Sequence, residues 1–320
     1  MSLLLIMESL ERGDISLDTQ IPCSENAASM GGSQIWLDMT ESLSVSDMLK
    51  AICVVSANDC TVAMAEYLAG SEELFVQKMN DKAKELGMND TVFKNCHGID
   101  EDGHITSSYD IALMSKELLQ NHPEITHYTT IWIDTLRNGQ SELVNTNKLI
   151  RTYNGATGLK TGSTSLALYN LSASATRENL SLIAVILRAP TPKIRFSEAK
   201  LLLDYGFNNY NFKTLCSKGD IVQNVEIAKG TEKNINLIFE KDSGVLIKKE
   251  NSLDIREELI INELISAPIN AGDILGKINY YSGEELVSSI NLIAEKTIEK
   301  LTTWNMFEYI FNKWINLLKV

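Results

Sequence analysis

The sequence is short of positive charge. It carries 29 lysines and arginines against 42 acidic residues, a formal net charge of −13 over 320 residues. Nucleic-acid binding needs a basic footprint to neutralise phosphates, so this balance argues against that partner. Cysteine is sparse. Cys23, Cys53, Cys60, Cys96 and Cys216 are odd in number and form no CxxC pair. They read as mostly buried thiols and leave the redox compartment open. No apolar run reaches the ~18 residues of a conventional transmembrane helix. A signal peptide is poorly supported at the start, because no basic stretch precedes the short apolar run from Leu3 to Met7 and Glu8 ends it. Chemical motifs are missing too: HExxH, the GxxxxGK[ST] phosphate loop, GxGxxG and the GxSxG elbow. His97, His104, His122 and His127 lack metal-ligand spacing. His122 and His127 read as solvent-facing or capping residues, and His97, in "NCHGIDEDGHITSSYD", as part of a shaped loop. No metal and no organic cofactor is implied.

What remains is globular: 44% hydrophobic and 22% charged, long enough for one large or two ordinary domains. In the opening "MSLLLIMESLERGDISL", Leu3, Leu4, Met7 and Leu10 recur at helical spacing and Gly13 supplies a stop. This predicts a core helix whose start looks cut rather than capped. "SVSDMLKAICVVSANDCTVAMAEYLAGS" is helical with a break at SAND. "EELFVQKMNDKAKELGM" is an amphipathic helix ending at Gly87. "SSYDIALMSKELLQNHPE" is another, opened by Ser107 or Ser108 and halted before Pro123. "HYTTIWIDTL" alternates like a strand, and "YNLSASATRENLSLIAVILRA" reads as a hairpin around "RENL". "KIRFSEAKLLLDYGF" predicts a last helix that stops at Gly206.

After about Phe212 the pattern changes to short alternating strands punctuated by "KG" and "DSG", a small all-β domain. At the end, Trp304, Phe307, Phe311, Trp314 and Leu318 form one helical seam, widened by Ile310 and Ile315. Lys296, Lys300, Lys313 and Lys319 exceed Glu295, Glu299 and Glu308 by one. A locally neutral-to-basic helix with an aromatic apolar face suits a membrane interface. Docking on its own protein, or a dimer contact, is the other reading.

Two short elements stand out together: Ser56-Ala57-Asn58 in "VVSANDC" and Lys160-Thr161-Gly162 in "ATGLKTGST". Each alone is weak, and Ser24-Glu25-Asn26 is another SxN in the same chain. In this order they resemble the SxN and KTG elements of serine hydrolases that bind penicillin, whose set is completed by SxxK. With "SENAASMGGSQIWL", "NCHGIDEDGHITSSYDIALMSKELL" and "NTNKLIRTYNGATGLKTGST", the chain resembles the low-molecular-mass penicillin-binding proteins that act as serine-type D-alanyl-D-alanine carboxypeptidases. The resemblance runs over essentially the whole length.

The resemblance implies an α+β fold. A penicillin-binding/serine β-lactamase-like catalytic domain (1–212), an antiparallel sheet with helices, precedes a small β-rich domain (213–294) and an amphipathic membrane-associating helix (295–320). It implies an acyl-enzyme reaction that removes the terminal D-Ala from peptidoglycan stem pentapeptides on the outer face of the cytoplasmic membrane, with β-lactams as inhibitors. By resemblance Ser56 relays a proton towards the leaving nitrogen, and Asn58 orients the substrate amide. Lys160 keeps the cleft positive for the terminal carboxylate, and Thr161 hydrogen-bonds that carboxylate. Gly162 lets substrate lie along the strand, and the Ser163 N–H serves as one oxyanion donor.

The nucleophile does not fit this order. The one SxxK in the sequence is Ser197–Lys200, which follows KTG instead of preceding SxN. Ser197 is rejected on that ground. In the family, SxxK is followed at once by a run resembling "MSLLLIMESLERGDI". The expectation is therefore a chain that begins just after the catalytic lysine and lacks the nucleophile and the first strands of the sheet. An inactive or purely binding remnant is the alternative. Within enzymes, β-lactamase and DD-endopeptidase share the same motifs.

Overall fold

The computed structural model describes residues 1–250 and 255–304, together with Phe307, Phe311, Trp314 and Ile315. The chain forms two compact units, Met1–Asn208 and Asn209–Val320.

The first unit holds helices α1 (Ser2–Glu11), α2 (Val45–Val55), α3 (Asn58–Ala69), α4 (Glu72–Glu85), α5 (Ser108–Asn121) and α6 (Pro192–Asn209). Its main sheet is antiparallel, in the order β1 (Ala156–Thr164), β2 (Leu168–Arg177), β3 (Leu180–Ala189). Serines set the helix starts. The hydroxyls of Ser44, Ser71 and Ser107 accept from the N–H groups of Asp47, Leu74 and Asp110, satisfying donors that a first turn leaves unpaired. α3 is buried continuously from Asn58 to Ala65, so it is an interior helix with no solvent stripe over that length. α1 packs against both α3 and α5. Leu5 and Ile6 are therefore buried along with Leu4 and Met7, a wider contact than the single expected stripe, while Leu3 and Leu10 are only partly covered. Gly13 follows the helix at φ +75°, a left-handed conformation suited to glycine.

Two local expectations need correction. "HYTTIWIDTL" is not one strand: Thr126–Thr129 is a helical turn, and only Ile133–Leu136 is extended, paired with Ser141–Val144. Pro123 opens a turn, and the Thr126 and Thr130 hydroxyls bond back to the carbonyls of Pro123 and Thr126. These contacts favour the helical turn over the alternating pattern. α6 does not stop at Gly206 but runs to Asn209. A Cβ at Gly206 would lie 2.4 Å from Leu182 Cδ1, so this glycine allows the helix to approach β3 closely.

The second unit is all-β. β4 (Tyr210–Cys216) pairs with β7 (Ser243–Lys248). A five-stranded antiparallel sheet runs in the order β8 (Ile255–Ile261), β9 (Ile274–Ser282), β10 (Glu285–Ala294), β6 (Asn234–Phe239), β5 (Ile221–Glu226). Ile235, Leu237, Ile278, Tyr280, Ile290 and Leu292 alternate inward to form its core. Residues 295–302 remain with this unit, through the bridges Ile269↔Ile298 and Gly230↔Lys300, and helix begins only at Thr303. Lys296 pairs with Glu232 at 2.6 Å and does not join a helical basic face. Trp304, Phe307, Phe311 and Trp314 are exposed, with the first three rings stacked in sequence. Ile310, Lys313, Leu318 and Lys319 lie outside the described residues. Among the described residues no helix is long and apolar enough to cross a membrane.

Candidate active site

The SAND break is a corner between two buried helices. Ser56 ends α2 in a left-handed conformation (φ 63°, ψ 44°), and α3 restarts at Asn58. Such strain in a non-glycine residue persists only where its surroundings enforce it. Here the Ala57 N–H bonds back to Ala51 O and the Asn58 N–H donates to Ser33 O at 2.7 Å. Asn58 Nδ2 donates to Gly31 O at 2.9 Å, which leaves Oδ1 as the acceptor on offer. Gly32 lies against that amide at φ +78°. A Cβ there would come within 2.9 Å of Asn58 Nδ2, so glycine is required.

β1 carries the second element. Lys160, Thr161 and Gly162 pair with Ser172, Leu171 and Asn170 of β2, and the other edge of β1 has no partner strand among the described residues. The two elements are tied together. Thr161 Oγ1 and Thr146 Oγ1 are 2.7 Å apart, and the Thr146 N–H donates to Val54 O at 3.0 Å, two residues before Ser56. Lys160 Nζ donates to Thr161 O at 2.8 Å. Burial lowers the Lys160 pKa to about 8, opposed by the nearby Cys53 thiol and reinforced by the Arg195 cation. At Gly162 a Cβ would meet nothing within 4 Å, so the chain itself does not require glycine there. A side chain would instead stand in the open cleft.

Ser56, Asn58, Lys160, Thr161 and Gly162 line one cleft of about 270 Å³, with Ser172, Ile52, Met114, Leu118 and Leu159. α1 begins in the same cleft, where Met1 and Ser2 contribute to the lining. Ser163 is exposed on β1 and is not among the lining residues. Ser2, Ser56, Ser115 and Ser172 line the cleft, and none has lysine three positions on. Ser197 is exposed on α6, donates to Ile194 O and lies away from the cleft, in keeping with its rejection.

Sequence reasoning missed several residues. Arg195 of α6 is buried and donates to Gly162 O (3.3 Å) and Asn170 O (3.1 Å), and its Nε is buried with no partner among the described residues. It is far along the chain from KTG and carries no motif. Asp59 is fully buried and accepts from the Ile35 and Leu37 N–H groups, fixing the loop beside Asn58. Asp100 accepts from the Leu166 N–H (3.0 Å) and Ser165 hydroxyl (3.2 Å), joining the histidine loop to the β1–β2 turn. Hydrogen bonds from Thr164 and Leu166 lower its pKa. His97 lines the cleft with Nε2 3.5 Å from Glu72, and burial lowers its pKa. His122 caps the end of α5, buried, and His127 is exposed. All five cysteines are free and buried.

A cation, a buried hydroxyl and an unpaired strand edge beside a side-chain amide suit an extended ligand ending in a carboxylate. Similarity to known proteins identifies the family. Residues 1–191 match the D-alanyl-D-alanine carboxypeptidase family, and residues 210–300 match the C-terminal domain of penicillin-binding protein 5. The chain is 43% identical over 304 residues to D-alanyl-D-alanine carboxypeptidase DacF of Bacillus subtilis, covering 94% of this chain and 78% of that one. Penicillin binding protein 5 from Haemophilus influenzae is similar in structure, with a TM-score of 0.75 at 28% identity over 93% of this chain and 88% of that one. Penicillin-binding protein D2 from Listeria monocytogenes, solved in an ampicillin-bound form, has a TM-score of 0.58 at 30% identity over 64% of this chain and 84% of that one. The paired SxN and KTG elements in one cleft and the match over both units lead to one assignment: the chain belongs to the D-alanyl-D-alanine carboxypeptidase family.

Proposed function

We propose that the cleft recognises peptidoglycan stem peptides ending in D-Ala-D-Ala, and that the family reaction is removal of the terminal D-Ala through an acyl-enzyme. The observation that carries this is the convergence of Ser56, Asn58, Lys160, Thr161 and Gly162 on one cleft beside an unpaired strand edge. Lys160 and the Thr161 hydroxyl take the terminal carboxylate, and the Arg195 guanidinium, held behind Gly162, adds positive charge from outside the cleft lining. Asn58 Oδ1 accepts the substrate amide N–H. Ser56 relays the proton to the departing amine, and the Ser163 N–H donates to the oxyanion.

The acylating step needs a serine activated by a lysine one helical turn on, which the cleft-lining serines do not provide. That favours recognition without acylation as the behaviour of these 320 residues. Fluorescent penicillin tests it. The expected result is no covalent adduct on the 320-residue chain and an adduct once an SxxK segment is joined ahead of α1. Labelling of the 320-residue chain itself would sink the assignment of roles.

The exposed Trp304, Phe307, Phe311 and Trp314 support contact of the C-terminal segment with a membrane surface, and a peptidoglycan substrate would put that surface at the outer face of the cytoplasmic membrane. Flotation with anionic vesicles is expected for the whole chain and lost on replacing the four aromatics by serine. Equal flotation of both would refute it.

A further inference from the structure

Trp36 is held outward at a backbone angle that a bulky residue rarely adopts. It has φ 53° and is 76% exposed, between Ile35 and Leu37, which are 5% and 4% exposed. Two buried or half-buried ions fix this geometry. Asp59 Oδ2 accepts from the Ile35 N–H at 3.0 Å and the Leu37 N–H at 3.1 Å. Arg137 donates from Nη1 to Ile35 O at 2.9 Å and from Nη2 to Trp36 O at 3.3 Å, while its fork grips Glu41 at 2.6 and 2.7 Å. The peptide groups on both sides of the indole are thus spoken for, and the ring is left in solvent. A strained residue that the fold over-determines, yet which packs against little, points to a contact made outside the molecule.

The location limits the partner. The Ser33 carbonyl accepts from the Asn58 N–H at 2.7 Å, and Trp36 is three residues further on. Its Cα therefore lies within about 11 Å of Ser33, whereas an extended pentapeptide spans about 17 Å. A stem peptide whose last residues occupy the cleft is long enough to bring the sugar that bears it to the indole. Charge argues for the same partner. Glu41 is neutralised by Arg137, whereas the exposed Asp38 adds negative charge two residues from Trp36, which disfavours an anionic lipid at this point but not a neutral sugar. An indole face complements the C–H face of a pyranose.

We propose that Trp36 is a saccharide platform that stacks on the N-acylated amino sugar carrying the stem peptide. The Asp59 and Arg137–Glu41 clamp would hold it in place. The proposal rests on the reading of the cleft as a stem-peptide site, and the experiment separates the two. The 320-residue chain and its W36A variant are titrated by calorimetry with a D-Ala-D-Ala pentapeptide and with the same peptide on its amino sugar. Both are also titrated with an amino-sugar oligomer free of peptide, following the difference in tryptophan emission.

The sugar is expected to tighten peptide binding about threefold to tenfold in the wild type. W36A should lose that gain while keeping the affinity for bare peptide, and the oligomer should perturb emission only when Trp36 is present. Failure of bare peptide to bind would remove the cleft reading, and the oligomer would still decide the platform. A sugar gain that survives W36A, or an oligomer without effect on Trp36 emission, overturns the proposal. An emission shift given by anionic vesicles in place of the oligomer would also overturn it.

Discussion

The two units solve the problem of a core in different ways. In the second, Ile235, Leu237, Tyr280, Ile290 and Leu292 exclude water with apolar atoms, and Asn279 is the one buried polar side chain among its described residues. In the first, buried polar side chains run through the interior: Asn58, Asp59, Asp110, Asn145, Asn147, Thr161, Ser172 and Arg195 are all buried. A buried polar group costs stability unless its partners are in place, so such a core is specific before it is strong. Partners are in place for the amides that hold the site, while Arg195 Nε and His104 Nδ1 are buried with none among the described residues. Asn145 donates to the Thr129 and Ile131 carbonyls, Asn147 donates to Gly158 O, and both brace the start of the KTG strand. The β unit needs no such bracing, because its described residues hold no comparable cluster.

The sharpest way to test that contrast is to remove one pin from each core. Asp59→Leu leaves the Ile35 and Leu37 N–H groups buried or half-buried without their acceptor. A cost of about 3–5 kcal/mol is expected. Asp59→Asn keeps an acceptor and should cost roughly half as much. Leu237→Ala, at a site with no exposure, should cost about 2–5 kcal/mol, through lost transfer energy and a cavity. Segment-resolved amide exchange distinguishes the units: D59L should accelerate exchange over residues 31–69, and L237A over β5, β6 and β10. Equal effects of both variants on both units would erase the distinction.

The same contrast explains what the sequence made legible. The β unit was readable because its strands alternate, and alternation is a local signal of a sheet with one buried face. α2, the corner at Ser56, α4 and α5 were readable because serine caps and a short break are local too. Ser56, Asn58 and Lys160–Gly162 were readable as motifs, and the cleft brings them together. The residues that hold them were not. Asp59 acts on a loop 22 to 24 residues earlier, and Arg195 reaches Gly162 from 33 residues later. No periodicity marks a single ion that bonds to backbone across the fold. Gly206 shows the converse error. It looked like a stop because glycine ends helices, but its missing side chain makes room for Leu182.

The smallest expected effect separates function from stability within the first unit. Burial lowers the Lys160 pKa from 10.5 to about 8, so folding opposes its charge. The unfolded chain then binds the proton more tightly between about pH 8 and 10.5, and the stability of the first unit should rise with pH across that window. Below about pH 8 the lysine is charged in both states and the cost is constant. Lys160→Met removes the charge. It should therefore be as stable as wild type or slightly more so at pH 7, and should show no rise from this group above pH 8. Ligand binding should move the other way. Affinity for a D-Ala-D-Ala peptide should fall in the wild type as pH passes about 8, because the neutral amine no longer attracts the carboxylate, and K160M should bind weakly at every pH. Denaturant titrations and calorimetry at pH 7 and pH 9.5 measure both quantities. If stability and affinity fell together with rising pH, Lys160 would be a structural cation and the polar core would owe its charge to folding. Opposite slopes would mean that the first unit gives up stability to keep a cation where a carboxylate arrives.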